Sequence, residues 1–194
     1  GNFKEAELSI RKAIELNPDF ANAHANLGSI LKDLDNLLEA EISTRKAIEL
    51  NPDFPEAHYN LGNILRDLGN LQAGEVLQRT VIRRNPNHTN AHFNLENTYC
   101  DLGKLEEAEL YTRRAIELKP DFTEAYTNLG DILRDSGKLE QSKNAYQKSL
   151  DIDPNQIHLI ATIIYTSSRL CMWDQIEKYS PYFNRIGIEG KALA

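Results

Sequence analysis

The segment from Ala21 to Phe54, ANAHANLGSILKDLDNLLEAEISTRKAIELNPDF, returns three more times without a gap. Residues 55–88 read PEAHYNLGNILRDLGNLQAGEVLQRTVIRRNPNH. Residues 89–122 read TNAHFNLENTYCDLGKLEEAELYTRRAIELKPDF, and residues 123–156 read TEAYTNLGDILRDSGKLEQSKNAYQKSLDIDPNQ. A fixed period of 34 residues means one supersecondary unit, stacked. Each unit buries its apolar face only against its neighbours, so the core is continuous and elongated.

Within the unit, positions 3, 7, 10, 11 and 14 are apolar, the spacing of one helical stripe. In the first full unit these are Ala23, Leu27, Ile30, Leu31 and Leu34. A second helix follows with Leu37, Ala40, Thr44, Ala47 and Ile48. Between the two stand Asp35-Asn36, Gly69-Asn70, Gly103-Lys104 and Gly137-Lys138, which read as a C-cap and turn. The second helix stops before Pro52, Pro86, Pro120 and Pro154, since proline cannot continue it. The small residues Gly28 and Gly62 are expected to face Ala40 and Ala47 and let the paired helices approach closely.

Residues 1–20 match the second half of this unit, so either the chain is a fragment with more sequence upstream, the favoured expectation, or a lone helix acts as the N-terminal cap. Residues 157–183 keep the length of a helix pair without the N-L-G or the proline, and read as a degenerate terminal pair that closes the last apolar face. Residues 184–194 read as an extension toward a downstream domain.

Apolar content of 41% and charged content of 26% belong to a folded domain, and no apolar run is long enough to span a membrane. A formal net charge of −7 argues against nucleic acid, which requires a basic face. Cys100 and Cys171 lie far apart with no CxxC pairing, which predicts free thiols in a reducing compartment, the cytoplasm.

The pattern of N-L-G at positions 6–8, Gly at 15, Ala at 20 and 27 and Pro at 32 resembles the tetratricopeptide repeat. The resemblance covers residues 1–156 and continues weakly to about 183. It implies an all-α fold, a right-handed α-solenoid superhelix of helix-turn-helix repeats. First helices would line a concave groove, and second helices the convex side.

Away from the apolar stripe, positions 2, 6, 9 and 13 form a polar stripe on the first helix. Position 6 is Asn26, Asn60, Asn94 and Asn128, and position 13 is Asp33, Asp67, Asp101 and Asp135. Position 9 reads Ser29, Asn63, Asn97 and Asp131. Stacking turns these into ladders. An asparagine amide offers one acceptor and two donors, matching a peptide unit, so the ladder suits an extended backbone. The aspartates would favour hydroxyl or basic side chains. Their bland reading is a solvated face, and for the asparagines it is local bonding that stabilises the repeat. Tyr59 and Phe93, at position 5, flank the ladder as pocket walls or as packing between first helices.

Other candidates are weaker. His24, His58 and His92 share position 4, but one repeat, about 10 Å, separates them. That is too far for one metal ion, so helix packing is their expected role and no cofactor is implied. Arg45-Lys46, Arg83-Arg84 and Arg113-Arg114 interleave with Glu49, Glu75 and Glu117 as a salt-laced face. Cys171 is expected to be buried and inert. Gly74, Arg84 and Glu96 stand where the pattern has Ala, Leu and Gly, and Arg84 is expected to pair with Glu96, the alternative being a loosely packed interface. No nucleotide-binding or hydrolase motif occurs, and no catalytic residue is assigned.

The expected function is a protein-interaction module that holds proteins or extended peptides, not an enzyme in itself. The whole chain resembles the N-terminal repeat region of SPINDLY/O-GlcNAc-transferase-like glycosyltransferases. The asparagine ladder carries this, with the segment SRLCMWDQIEKYSPYFNRIGIEG. The resemblance implies recognition of protein acceptors, with the catalytic region outside this sequence. The alternative is a general scaffold with no linked glycosyltransferase. A chaperone adaptor for C-terminal carboxylates is disfavoured, because Asn22, Glu56, Asn90 and Glu124 stand where a cationic clamp is needed. Self-association through the open terminal repeat face is a further expectation.

Overall fold

The computed structural model describes residues 3–171 together with Ile176, Tyr179 and Pro181. Ten helices and no strand occur among the described residues, so the fold is all-α as expected from the repeat. The chain divides into two compact units, Gly1–Leu102 and Gly103–Ala194.

The first unit holds α1 (Phe3–Leu16), α2 (Ala21–Asp33), α3 (Leu37–Leu50), α4 (Pro55–Asp67), α5 (Leu71–Arg84) and α6 (Thr89–Asp101). Each packs on the next in sequence, and α4 also touches both α2 and α6. The second unit holds α7 (Leu105–Leu118), α8 (Thr123–Asp135), α9 (Leu139–Ile152) and α10 (Ile157–Arg169), again packed consecutively. The expected partner of α10 falls largely outside the described residues, as do residues 184–194.

The apolar stripe closes these interfaces. In the first unit Leu27, Leu31, Ala40 and Ile64 are buried together with Ile10, Ile14 and Leu68 against them. Ala25, Ala47 and Ala57 form a second buried group with Ile48 and Phe54. In the second unit Leu129, Leu133 and Ala145 pack with Ile116. Tyr146, Leu159, Ile160, Ile163, Ile164, Ile176 and Tyr179 form another cluster around α10. Each buried Leu or Ile contributes about 1.5–3 kcal/mol of transfer free energy.

Glycine governs how near the paired helices come. A Cβ on Gly28 would lie 2.0 Å from Thr44 Oγ1 and 3.1 Å from the Ala40 carbonyl. The equivalent atom on Gly62 would lie 2.7 Å from Gln78 Nε2, and on Gly130 it would lie 2.4 Å from the Tyr146 ring. In these three repeats position 8 therefore faces position 24 of its own second helix, where the side chain is Thr44, Gln78 or Tyr146. Gly74 fits the same rule, because an alanine Cβ there would press to 2.9 Å on the Gly62 carbonyl.

Both turns are specified by backbone chemistry. Position 15 has a left-handed φ in all four repeats: 62° at Asp35, 81° at Gly69, 70° at Gly103 and 75° at Gly137. The Asn36 N–H then donates to the Leu31 carbonyl at 2.8 Å and the Asp35 N–H to Lys32 at 2.9 Å. The same two bonds recur at Asn70 and Gly69, and at Lys138 and Gly137. This is the Schellman closure of a helix C-terminus.

At the proline turn the side chains of Asn17, Asn85 and Asp153 accept the backbone N–H two residues on. The histidines at position 4 finish it. Nε2 of His24, His58 and His92 lies 2.9, 2.8 and 2.9 Å from the carbonyl of Pro18, Pro52 and Pro86. A carbonyl only accepts, so each Nε2 carries the proton. The histidines are turn braces, and among the described residues no group of side chains could hold a metal ion.

The departures resolve differently from expectation. Arg84 pairs with Asp53 at 2.9 Å, reaching back across the turn, while Glu96 is buried and accepts from the Cys100 thiol at 3.4 Å. Cys171 is exposed, not buried, because it sits just beyond α10 with φ of 56°.

Candidate functional site

In the first unit the polar stripe lies along α2, α4 and α6, three helices that adjoin one another through α4. Asn26 is exposed and Asn60 half-buried, and neither side chain bonds to another group among the described residues. Asn94 differs. Its Nδ2 donates to Tyr59 Oη at 2.8 Å and to Asn63 Oδ1 at 2.7 Å, so both amide hydrogens are used between α6 and α4.

Behind Asn63 stands Gln78, a fully buried residue of α5. Its Nε2 donates to the Tyr59 carbonyl at 3.2 Å and to Asn63 Oδ1 at 2.7 Å. Gly62 makes room for this amide, as a Cβ there would collide with it. Tyr59 itself stacks on His88, with ring centroids 5.1 Å apart. His88 replaces the phenylalanine found at the same position in Phe20, Phe54 and Phe122, and its Nδ1 accepts the Ala91 N–H at 3.1 Å to cap α6. Phe93 is half-buried, and its carbonyl accepts from Asn97 Nδ2 at 3.0 Å within the same helix.

The aspartates at position 13 are exposed, and most have a cation at hand. Asp33 lies 3.9 Å from Lys32, and Asp67 lies 2.9 Å from Arg66 and 3.8 Å from Lys32. Asp101 follows Cys100 instead of a cation and makes no ion pair among the described residues.

In the second unit Asn128 is half-buried. Asp131 accepts the Tyr146 hydroxyl at 2.8 Å and pairs with Arg134 at 2.7 Å, while Arg134 Nε lies 3.0 Å from Asp135. Burial, then the Asp131 carboxylate, holds the Tyr146 phenol above its ordinary value.

The second helices carry charge in a repeating form. Arg11, Arg45, Arg79 and Arg113 each pair with the glutamate one turn before: Glu7, Glu41, Glu75 and Glu109. Lys46 and Arg114 pair with Glu49 and Glu117, both at 2.9 Å. These six cations are matched, whereas Lys12, Arg83 and Lys148 make no ion pair among the described residues.

Of the residues singled out from sequence, the fold thus joins Tyr59, Asn63 and Asn94 and leaves Asn26 and Asn60 open. It ties Asn97 and Asp131 into local bonds. Gln78 was hidden, since position 24 otherwise reads Thr44, Thr112 and Tyr146 and belongs to the packing stripe.

Tetratricopeptide-repeat family models match residues 10–42, 91–126 and 123–156, and a TPR-repeat model matches residues 45–69. The chain is a tetratricopeptide-repeat protein. Solved structures of similar fold include PilF of Pseudomonas aeruginosa, 18% identical with a TM-score of 0.82 over 96% of this chain and 85% of that one. MamA of Desulfovibrio magneticus RS-1 is 20% identical, with a TM-score of 0.74 over 90% of this chain and 97% of that one. YrrB, described as a TPR protein with an unusual peptide-binding site, is 23% identical, with a TM-score of 0.70 over 89% and 92%. At these identities the likeness is one of fold. No curated protein matches the sequence.

Proposed function

We propose that this tetratricopeptide-repeat protein binds extended polypeptide along the polar face of α2, α4 and α6. The observation that carries the reading is the pair Asn26 and Asn60. They occupy the same position in adjoining first helices, reach solvent, and have amide groups not spent on the protein. Helices in contact lie about 10 Å apart, and an extended chain advances about 3.3 Å per residue. Successive asparagines therefore meet a bound strand about every third residue and read its backbone rather than its side chains. A net charge of −7 and matched cations on the second helices disfavour nucleic acid as the ligand.

The finer reading is that this is the acceptor-recognition region of a SPINDLY/O-GlcNAc-transferase-like protein. Its supports are the ladder and the segment after Ser168, most of which lies outside the described residues. A scaffold without a linked glycosyltransferase is the alternative. No catalytic step is assigned to these residues. Both cysteines are free, which suits a reducing compartment such as the cytoplasm, and no described helix is long and apolar enough to cross a membrane.

The test is an array of unrelated extended peptides, probed with wild type and with Asn26→Ala/Asn60→Ala, with circular dichroism to confirm folding. Loss of binding by at least tenfold across many sequences is expected from two missing backbone contacts of about 1 kcal/mol each. Unchanged binding would place the partner surface elsewhere. Among peptides that bind, glycosylation by a longer form of the protein with a sugar nucleotide separates the acceptor reading from the scaffold.

A further inference from the structure

At the junction of α4 and α6 four polar side chains leave no freedom in the direction of their hydrogen bonds. The Tyr59 backbone carbonyl can only accept, so the Gln78 atom 3.2 Å from it is the nitrogen, Nε2. That nitrogen's second hydrogen points to an Asn63 atom at 2.7 Å, which must be oxygen. The same oxygen lies 2.7 Å from Asn94, which must then present Nδ2. The remaining hydrogen of Asn94 goes to Tyr59 Oη at 2.8 Å, so the hydroxyl there acts as acceptor and its own proton turns elsewhere. The network starts from a group with one possible role, which fixes the orientation of every amide in it. Reversing any member would set two acceptors or two donors against each other.

The groups left over are sorted by kind. Asn94 retains only its carbonyl oxygen, Asn63 only its NH₂, and Tyr59 only its hydroxyl proton. All three residues are half-buried at one junction, so an acceptor stands beside two donors. An extended backbone presents the complement, an N–H and a C=O on one edge of alternate residues. Asn26 and Asn60 have no such constraint and can turn their amides to suit a strand of either direction. The repeat is thus broken by Gln78, found at position 24 in this unit alone.

We propose that this locked set, Asn63 and Tyr59 as donors with Asn94 as acceptor, fixes the chain direction of a polypeptide bound along α4 and α6. The proposal rests on the peptide-binding reading above and adds polarity to it. Asn94 takes one peptide N–H, Asn63 and Tyr59 take one peptide carbonyl, and Gln78 is a positioning residue that never touches the ligand.

Two measurements test it. The first needs no ligand: side-chain amide exchange followed by NMR on wild type and on Gln78→Met, which keeps the volume and removes the pin. In wild type the Asn94 NH₂ is expected to exchange at least tenfold more slowly than that of Asn63, and Gln78→Met is expected to erase the difference. Equal exchange in wild type overturns the lock. The second takes a peptide retained by the array and replaces its amides one at a time by esters, each removing one N–H. One ester position is expected to weaken binding about tenfold in wild type and less than twofold in Asn94→Ala. If that position costs the same in both proteins, Asn94 takes no peptide N–H and the proposal fails. Should no peptide bind in the array, the functional reading falls, and this proposal with it, even where the exchange result shows the lock to exist.

Discussion

Position 15 has one conformation and two residue types. Asp35 adopts the left-handed φ that Gly69, Gly103 and Gly137 adopt without a Cβ penalty. A left-handed L-residue costs about 1 kcal/mol, less for Asp than for most, and glycine returns part of that as unfolded-chain entropy. Asp35→Gly is therefore expected to stabilise the protein by about 0.5 kcal/mol in urea denaturation, and a loss of stability would show that Asp35 has a compensating contact. This position was legible in the sequence because three of the four residues there are glycine. Gln78 was not. Its place in the pattern is a packing position, and its amide reaches Asn63 only because Gly62, in another helix, has no side chain in the way. Asn94 and Asn60 look the same in sequence, yet one is bonded on both amide hydrogens and the other is open. What separates them is a residue 16 before Asn94 and a tyrosine 35 before it, beyond any local signal.

Between elements, α5 and α6 are joined by a polar contact inside the packing. The buried Tyr99 hydroxyl donates to Glu75 at 2.8 Å and accepts from Arg79, whose guanidinium also lies 5.9 Å from the ring centre. Burial, then the Glu75 carboxylate, pushes the Tyr99 phenol up to about 12 from an ordinary 10. The folded state thus holds this proton where the unfolded chain has begun to release it. The stabilisation is complete below pH 10 and is lost as pH rises from 10 through about 12. Urea denaturation across that range is expected to show a falling stability, shallower in Tyr99→Phe; identical slopes would mean that the phenol titrates normally. Helix positions followed from the 3.6-residue stripe, since Leu27, Leu31, Ala40, Thr44 and Ala47 are all buried as its period requires. The pairing of Arg84 did not follow. Asp53 lies on the turn before α4, and sequence separation says nothing about which acid a long side chain will reach.

At the scale of the whole repeat, core positions of successive units are buried alike even where the polar positions differ. Ala57 and Ala91 are both fully buried at position 3, and Leu61 and Leu95 are buried at position 7. Deleting residues 55–88 joins Phe54 to Thr89, the same step from position 34 to position 1 that Phe122 makes to Thr123. Such a deletion is expected to keep the helix signal per residue and to lower the denaturation midpoint, because a stack loses one unit and one interface. It also removes Asn60, Asn63 and Tyr59, so peptide binding should fall with it. A collapse of the helix signal would mean that the repeats are not interchangeable.

The histidine braces bear on how such a chain is made. The carbonyls of Pro18, Pro52 and Pro86 each wait for a histidine only six residues downstream, as Pro52 does for His58. A ribosome adds about 5–20 residues per second, so the brace can close within about a second of the turn emerging. Each of these three turns is thus finished by the first residues of the next repeat, and vectorial synthesis supplies the parts in the order in which they are needed.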